Sequence, residues 1–293
     1  MREWDGKSKG GVLGYKAFVF FIKKLGVKPA YTILFPVVFF YFVFLSKANK
    51  ASYYYFNKRQ GFGRFKSVKN IFWSYYTFGQ VLVDRIAIST GMRSRYNFAF
   101  DGSHIIKEVL GRKKGGVFIT GHTGNFEIAQ YILSERNYDI TINFIGSYIE
   151  REAIKKYLEG IYIKSGIKYI VIKDDMSHIF EINEALANNE LLCFAADRYP
   201  DGSRMLNEQL LGAAADFPAG PFLISSRLKV PVLFVYVMKE AGLKYQLYAR
   251  EAQVTHRDAQ GLLKEYIKSL ESMLKHYPLQ WFNYYDFWKV FKK

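Results

Sequence analysis

Short apolar runs alternate with amphipathic segments in the second half of the chain. From residue 115 onward the apolar runs, each bounded by turn residues, are VFIT, ITINFI, KYIVI, LLCFAA and VPVLFVYV. Patterns that predict helices separate these runs, at residues 125–135, 150–163, 177–187 and 219–228. Continuous apolar strands separated by helices are typical of a sheet buried on both faces. The pattern therefore predicts an α/β fold, with a mostly parallel buried sheet flanked by helices.

Three further patterns extend this prediction. The segment LKYQLYAR alternates between apolar and polar residues, which predicts a half-exposed strand at an edge of the sheet. Residues 258–276 have the period of a closing helix. Before the α/β part, the aromatic segment that begins SYYYF predicts two helices separated at Gly61 and Gly63.

The N-terminal part is apolar and basic. No charged residue lies between Lys28 and Lys47, and at about 1.5 Å per residue this segment barely crosses a hydrocarbon layer of roughly 30 Å. Pro36 would kink a helix there. The preceding helix pattern places Lys16 and Lys23 on one face and mainly apolar residues on the other, as in interfacial helices. We predict membrane-anchoring helices over residues 1–48 and an α/β domain over 49–293; a buried core helix is the alternative.

Composition and charge narrow the possible partners. Half of the residues are hydrophobic, so the chain can bury a large core. The net charge is +16, and residues 6–83 carry thirteen Lys and Arg but no Asp or Glu. Anionic membrane lipids are the expected partner, since each basic residue near such a surface contributes about 1 kcal/mol. Nucleic acid is disfavoured, because YTILFPVVFFYFVFL is too apolar to lie on phosphates.

The charge distribution bears on membrane topology, and the cysteine and histidine content bears on metal binding. Both sides of the apolar segment are basic, so charge bias gives neither end a reason to leave the cytoplasm. We expect both ends to be cytoplasmic, with the anchor in or dipping into one leaflet. A single cysteine and five scattered histidines provide no spacing typical of a metal site, so we expect no metal.

The segment GVFITGHTGNFE carries the candidate chemistry. On one continuous helix, His122 and Glu127 would lie about 140° apart and could not meet. GHTGN has the composition of a turn, with Asn125 as a cap for a helix that begins near Phe126, so the chain can bring imidazole and carboxylate together. A carboxylate on one ring nitrogen makes the other a better general base. Because the chain has no Gly-x-Ser-x-Gly elbow, the base is expected to activate a substrate hydroxyl.

With this motif the chain resembles the lysophospholipid acyltransferase superfamily, whose hallmark is His-x4-Asp or His-x4-Glu. It is most similar to the lipid A late acyltransferases, the lauroyl and myristoyl transferases, through GHTGNFE, FAADRYPDG, FPAGPFLISSRLKVPVLFVY and QWFNYYDFW. The resemblance implies acyl transfer from a thioester, usually on acyl carrier protein, to a lipid hydroxyl at the cytoplasmic face of the inner membrane. His122 would be the base and Glu127 its partner. Acyl-ACP or acyl-CoA would be a co-substrate, and no cofactor is implied.

The same resemblance suggests further substrate-binding residues. Arg198 would contact a donor or acceptor phosphate, and Asp197 would assist proton movement. Gly220 lies in a turn that would supply acceptor-phosphate or oxyanion contacts, with a purely structural turn as the alternative. The remaining candidates are Asn125 within the motif, Arg227, which either reaches a phosphate or pairs at the surface, and Arg151, an approximate match to an arginine of the relatives.

Alternatives remain both for the lipid acceptor and for the assignment of the protein as an enzyme. The segment GSYIEREA departs from the relatives, so a glycerophospholipid, an amino-acid lipid or a polyene is an alternative to a lipid A precursor. The alternative to an enzyme is a membrane-binding scaffold without catalytic activity. It is disfavoured, because a scaffold has no need for His122 and Glu127 in a turn that forms a pocket.

Overall fold

A computed structural model describes residues 12–135, 140–146, 167–172, 175, 177–199 and 202–291. The helix predicted over 150–163, and Arg151 within it, lie outside the described residues. The described α-helices are α1 Val12–Leu25, α2 Val27–Phe44, α3 Ser46–Tyr54, α4 Arg64–Ala87, α5 Ser103–Gly111, α6 Ala129–Glu135, α7 His178–Ala187, α8 Ala219–Ser225 and α9 Ala259–His276. The described strands are β1 Asn97–Asp101, β2 Gly116–Thr120, β3 Ile142–Gly146, β4 Ile167–Val171, β5 Leu191–Ala195, β6 Met205–Leu210, β7 Ala213–Pro218, β8 Val232–Lys239 and β9 Lys244–Glu251.

Seven of these strands form one sheet in the order β1-β9-β8-β2-β5-β3-β4. All neighbouring pairs are parallel except β8 and β9. Alternate residues of the fully buried strand β2 enter two apolar cores on opposite faces. Ile119 lies in the core that contains Leu263 of α9, and Phe118 lies in the core that contains Ile132 of α6. The predicted α/β fold with a mostly parallel buried sheet is confirmed.

The strand predicted for LKYQLYAR is present, but its predicted position at the edge of the sheet is wrong. Strand β9 alternates as predicted, with Tyr245, Leu247 and Ala249 buried. It does not lie at the edge, because β1 pairs outside it in a parallel register that aligns Asn97 with Lys244. The sequence NFAFD of β1 is short and only partly buried, so its pattern gives little signal. The antiparallel hairpin of β6 and β7 was also not predicted.

The N-terminal helices lie against the rest of the chain. The predicted break at Gly61 and Gly63 is confirmed, since a π-helical turn ends at Arg59 and α4 begins at Arg64. Helix α2 is long and apolar enough to cross a membrane by length and composition alone, a test that core helices also pass. The ring of Phe35 in α2 packs against the ring of Phe72 in α4, with their centroids 5.1 Å apart. Most of α2 is exposed, and its buried residues are Val27, Ala30, Leu34 and Val38.

A buried ion pair joins these helices to the sheet. Lys239 Nζ at the end of β8 donates to Asp84 Oδ2 of α4 at 2.7 Å, and the two side chains are 4% and 0% exposed. Three tyrosine hydroxyls also donate to the Asp84 carboxylate: Tyr31 of α2, Tyr96 at 2.7 Å and Tyr245 of β9 at 2.6 Å. Burial lowers the pKa of Lys239, and the attraction of Asp84 opposes this shift. The cluster therefore joins five positions along the chain around one charge pair.

We expect this pair to control stability. Lys239→Met leaves a buried carboxylate without its cation and should lower the free energy of unfolding by about 3–5 kcal/mol. The double variant Asp84→Asn/Lys239→Met should lose less free energy of unfolding than the sum of the losses in the two single variants. The reason is that neither charge is then buried without its partner. Arg250→Met is the control, since Arg250 and Asp101 form an exposed pair, 49% and 48% accessible, worth about 0–1 kcal/mol. Urea unfolding measures all four variants, and equal losses for Lys239→Met and Arg250→Met would contradict this expectation.

Candidate active site

Two glycines shape the turn that follows β2. Gly124 has φ +53°, and a Cβ there would lie 2.1 Å from the carbonyl oxygen of Val237. A Cβ on Gly121 would lie 2.9 Å from the Tyr266 hydroxyl and 3.0 Å from Asp197 Oδ2. A side chain at Gly124 would therefore meet the backbone of β8, and one at Gly121 would meet the side chains of Tyr266 and Asp197. The two glycines thus let the turn approach β8 and Asp197 closely, with His122 between them.

The imidazole of His122 is held by Asp197. Strand β5 ends at Ala195, and Asp197 follows it at the carboxyl edge of the sheet, next to the turn after β2. Nδ1 of His122 lies 2.6 Å from Asp197 Oδ1, and the backbone N–H of His122 also donates to the same carboxylate, at 2.9 and 3.0 Å from its two oxygens. The Asp197 side chain is fully buried, whereas the His122 side chain is 26% exposed. The ring of His122, and not the carboxylate of Asp197, is therefore accessible from solvent.

The C-terminal segment completes the surroundings of Asp197. Trp281 Nε1 and Asn283 Nδ2 donate to Asp197 Oδ2 at 2.9 and 2.8 Å. The backbone of the same segment pairs with the turn, since Phe282 N donates to the carbonyl of His122 at 2.9 Å. Sequence reasoning identified QWFNYYDFW only as a block of resemblance and did not assign Trp281 or Asn283 to the site. These two residues act through Asp197.

Both members of the pair have shifted pKa values. Burial lowers the pKa of His122, and the positive charge of Arg198 lowers it further, while Asp197 and then Glu127 oppose the shift. For Asp197, burial opposes the charged form, but the attraction of His122 and Arg198 and the donated hydrogen bonds outweigh it and lower the pKa. At neutral pH the site therefore holds a carboxylate next to a neutral imidazole. Nδ1–H donates to Asp197, which leaves Nε2 as the basic nitrogen.

Glu127 does not occupy the place predicted for it. Its carboxylate forms an ion pair with Arg85 in the last turn of α4, with side chains 33% and 20% exposed. The contact on Nδ1 of His122 comes from Asp197 instead. The predicted contact between His122 and Glu127 is thus corrected. Spacing along the chain shows that Glu127 can approach the turn, but it does not show that Arg85 competes for the carboxylate.

Asn125 is a part of the scaffold. A 3-10 turn begins at Phe126 as predicted, but the Asn125 side chain makes no capping hydrogen bond. Its Nδ2 donates to the carbonyl of Val81 in α4 at 3.2 Å, and its backbone N–H donates to the carbonyl of Val237 in β8 at 2.7 Å. Asn125 is only 3% exposed, so this placement does not support a direct substrate contact, and that role stays a prediction. The residue holds the turn between α4 and β8.

Two of the predicted arginines lie in different places. Arg198 is half-buried beside the pair, with Nε 2.8 Å from Asn283 Oδ1 and Nη2 2.6 Å from the carbonyl of Phe282. Arg227 is exposed and precedes Val232, which starts β8 at the amino edge of the sheet, opposite His122. The placement of Arg227 does not support a phosphate contact at the site. Its predicted helix ends at Ser225, earlier than the sequence suggested.

Gly220 lies apart from the residues around His122. Gly220 is exposed in the first turn of α8, after the hairpin of β6 and β7. The described hydrogen bonds do not connect it to His122, so its predicted role stays a prediction. Among the described residues, no group of three or more His, Cys, Asp or Glu is arranged to hold a metal ion.

Comparison with known proteins places the sequence in a family. The family model described as bacterial lipid A biosynthesis acyltransferase matches residues 68–290. The match contains the turn after β2, Asp197 and the C-terminal segment that holds them together. A search of curated proteins gives no match. The match spans well over half of the sequence, and the chain therefore belongs to the bacterial lipid A biosynthesis acyltransferase family.

Proposed function

We propose that the protein transfers a fatty acyl chain from an acyl thioester to a hydroxyl of a lipid A precursor, with His122 as the general base. The observation that carries this proposal is the 2.6 Å contact between His122 Nδ1 and the buried Asp197 carboxylate. It fixes the ring so that Nε2 remains available on a partly exposed side chain. Membership of the family supports acyl transfer in lipid A biosynthesis.

In the proposed reaction, His122 first accepts a proton from the acceptor hydroxyl and then gives it to the leaving thiolate. Nε2 of His122 takes the proton of the acceptor hydroxyl while its oxygen attacks the thioester carbonyl carbon. The new C–O bond gives a tetrahedral intermediate, and the charge of Asp197 stabilises the imidazolium. When the C–S bond breaks, the leaving thiolate takes the proton from Nε2. The products are an ester and a free thiol, and His122 returns to its neutral state.

The oxyanion of that intermediate needs a hydrogen-bond donor or a positive charge nearby. Most backbone N–H groups of the turn after β2 are not available for this role. The N–H groups of His122, Gly124 and Asn125 already donate to Asp197, to the carbonyl of Gln280 and to the carbonyl of Val237. We propose Arg198 for this role, or for contact with a substrate phosphate, because its charge acts on both His122 and Asp197. Two hydrogen bonds to the C-terminal segment hold its guanidinium in place.

The proposed donor is acyl carrier protein, and the proposed location is the cytoplasmic face of the inner membrane. The excess of positive charge favours an acidic carrier protein and anionic lipids. Large apolar side chains of α2 remain exposed, among them Phe39, Phe40 and Phe44 at 57%, 57% and 66%. Water is a poor environment for such a patch, so we propose that it lies in lipid. The acceptor would then reach His122 without leaving the membrane.

The first prediction of this proposal ranks three substitutions. His122→Ala should lower the rate of acyl transfer by roughly two to four orders of magnitude, because it removes the base. Asp197→Asn should lower the rate nearly as much, since the ring loses its orienting carboxylate. Glu127→Gln should cost less, because glutamine can still bond to Arg85. Initial rates with acyl-ACP and a lipid A precursor measure the order, and thermal unfolding shows that each variant is folded.

Two results would contradict this ranking. Wild-type turnover by folded His122→Ala protein would remove the general base from the mechanism. A larger loss in Glu127→Gln than in Asp197→Asn, with both proteins folded, would return the partner role to Glu127.

The second prediction concerns the donor. If a basic surface steers an acidic carrier protein, kcat/KM for acyl-ACP should fall steadily as salt shortens the Debye length to about 8 Å and below. Acyl-CoA should be a poorer donor at low salt. Initial rates with both donors across a salt series test this, and equal use of the donors without salt dependence would count against a carrier-protein site.

The third prediction concerns topology. With basic segments on both sides of α2, both ends of the chain should stay in the cytoplasm and α2 should lie in one leaflet. Tags at the two termini should therefore both resist a membrane-impermeant label added to the outer side of intact inner membranes, and both should react after lysis. Labelling of the N-terminal tag alone before lysis would show that the chain crosses the membrane.

A further inference from the structure

A groove of about 550 Å³ opens where α2, α3 and α4 meet the C-terminal residues. Phe42 of α2, Val68 and Ile71 of α4, and Phe291 give it apolar walls, with Asn49 and Lys50 of α3 beside them. Val68 and Phe291 are 44% and 51% exposed. An exposed apolar concavity of this size fits a hydrophobic ligand.

The one amide in the groove is already engaged. Asn49 Nδ2 donates to the carbonyl of Phe42 at 2.5 Å, and Asn49 Oδ1 accepts from the Tyr75 hydroxyl at 2.9 Å. The side chain of Asn49 is therefore committed to the protein. Lys50 is the charged residue among those that line the groove, and it is exposed to solvent. These features match a ligand with a hydrocarbon chain and an anionic head.

The position of the groove along the chain points to the bilayer as the source. Phe42 lies in the last turn of α2, the candidate membrane helix, and α3 with Lys50 begins directly after it. A helix that ends in this way leaves the hydrocarbon region where phosphate groups begin. Because residues 6–83 contain no Asp or Glu, no carboxylate of this segment opposes an anionic head.

A wall of aromatic rings separates the groove from His122. The ring of Tyr75, which bonds to Asn49, packs against Tyr284 with centroids 4.7 Å apart. Ser74 Oγ also lies 3.1 Å from the Tyr284 hydroxyl. Tyr284 in turn packs against Phe282, whose backbone bonds to His122. A chain in the groove would meet this wall before the catalytic ring, so it would not be a reactant.

We propose that the groove binds one hydrocarbon chain of an anionic bilayer phospholipid, with its phosphate at Lys50, as a lipid that is bound but not acylated. Such a lipid would hold Phe291 and α3 together. Phe291 packs on Tyr54, which packs on Trp288, and Trp288 packs on Trp281, the donor to Asp197. The bound lipid therefore stabilises the C-terminal segment that positions Asp197, since any ligand that binds only the folded state stabilises it.

The test is lipid binding by the full chain, measured by native mass spectrometry after removal of lipid in detergent. The ligands are phosphatidylglycerol, phosphatidylcholine and inorganic phosphate. Val68→Trp fills the groove, and Ile33→Trp is its control, because Val68 and Ile33 are both 44% exposed. Lys50→Glu reverses the charge of this lining residue, and Lys58→Glu is its control on another exposed lysine of the same basic region.

We expect one phosphatidylglycerol on the wild-type protein and on both controls. Val68→Trp should lose it, and Lys50→Glu should bind it at least about fivefold more weakly. Phosphatidylcholine should bind more weakly than phosphatidylglycerol, and inorganic phosphate should not displace either lipid. Phosphatidylglycerol should also raise the unfolding temperature of the wild-type protein and of both controls, but not that of Val68→Trp.

Any one of four results would overturn this proposal. Wild-type lipid binding by Val68→Trp, or equal loss in Ile33→Trp, would place the lipid elsewhere. Displacement of phosphatidylglycerol by inorganic phosphate would show that Lys50 binds an ion and the groove holds no chain. Loss of acyl transfer by folded Val68→Trp in detergent free of phospholipid would make the groove part of the substrate path. Because binding is measured without turnover, failure of the proposed acyl transfer would leave this result interpretable.

Discussion

The buried carboxylate of Asp197 is the constraint on which the site depends. A fully buried charge is tolerated only when its oxygens are paired, and its loss of partners costs several kcal/mol. Here the partners come from the turn after β2 and from the C-terminal segment, through His122, Trp281 and Asn283. The need to satisfy one carboxylate therefore brings the two ends of the α/β part together and fixes the imidazole.

A second buried charge pair supports the same arrangement from the other side. Lys239, at the end of β8, pairs with Asp84 of α4, and its backbone N–H and carbonyl both bond to the side chain of Gln280. The backbone carbonyl of Gln280 in turn accepts from the N–H of Gly124 in the turn after β2. Helix α4 thus contacts the exposed apolar helix α2, the turn after β2 and the aromatic rings of the C-terminal segment. A disturbance of α2 has a physical route to His122 through these contacts.

The sequence contained most of the fold and part of the site. Long apolar runs and amphipathic segments predict the parallel sheet because burial on both faces leaves a strong pattern, whereas the short and partly exposed β1 leaves little. The turn around His122 was predictable from its glycines. Asp197 was already a candidate residue, but its contact with His122 was not predictable, because Asp197 lies 75 residues away and Trp281 lies 84 residues beyond Asp197. Only packing shows that Arg85 holds Glu127 while Asp197 contacts the ring.

The protonation of His122 is the most direct measurement of this account. Nitrogen NMR of labelled histidine, assigned with His122→Ala, reports which ring nitrogen carries the proton and the pKa of the ring. The account predicts a neutral ring protonated at Nδ1 near pH 7, with a pKa below the ordinary value of 6.5 because of burial and Arg198. A proton on Nε2 of the neutral ring, or a pKa above 6.5, would contradict the claim that Asp197 prepares His122 as a base.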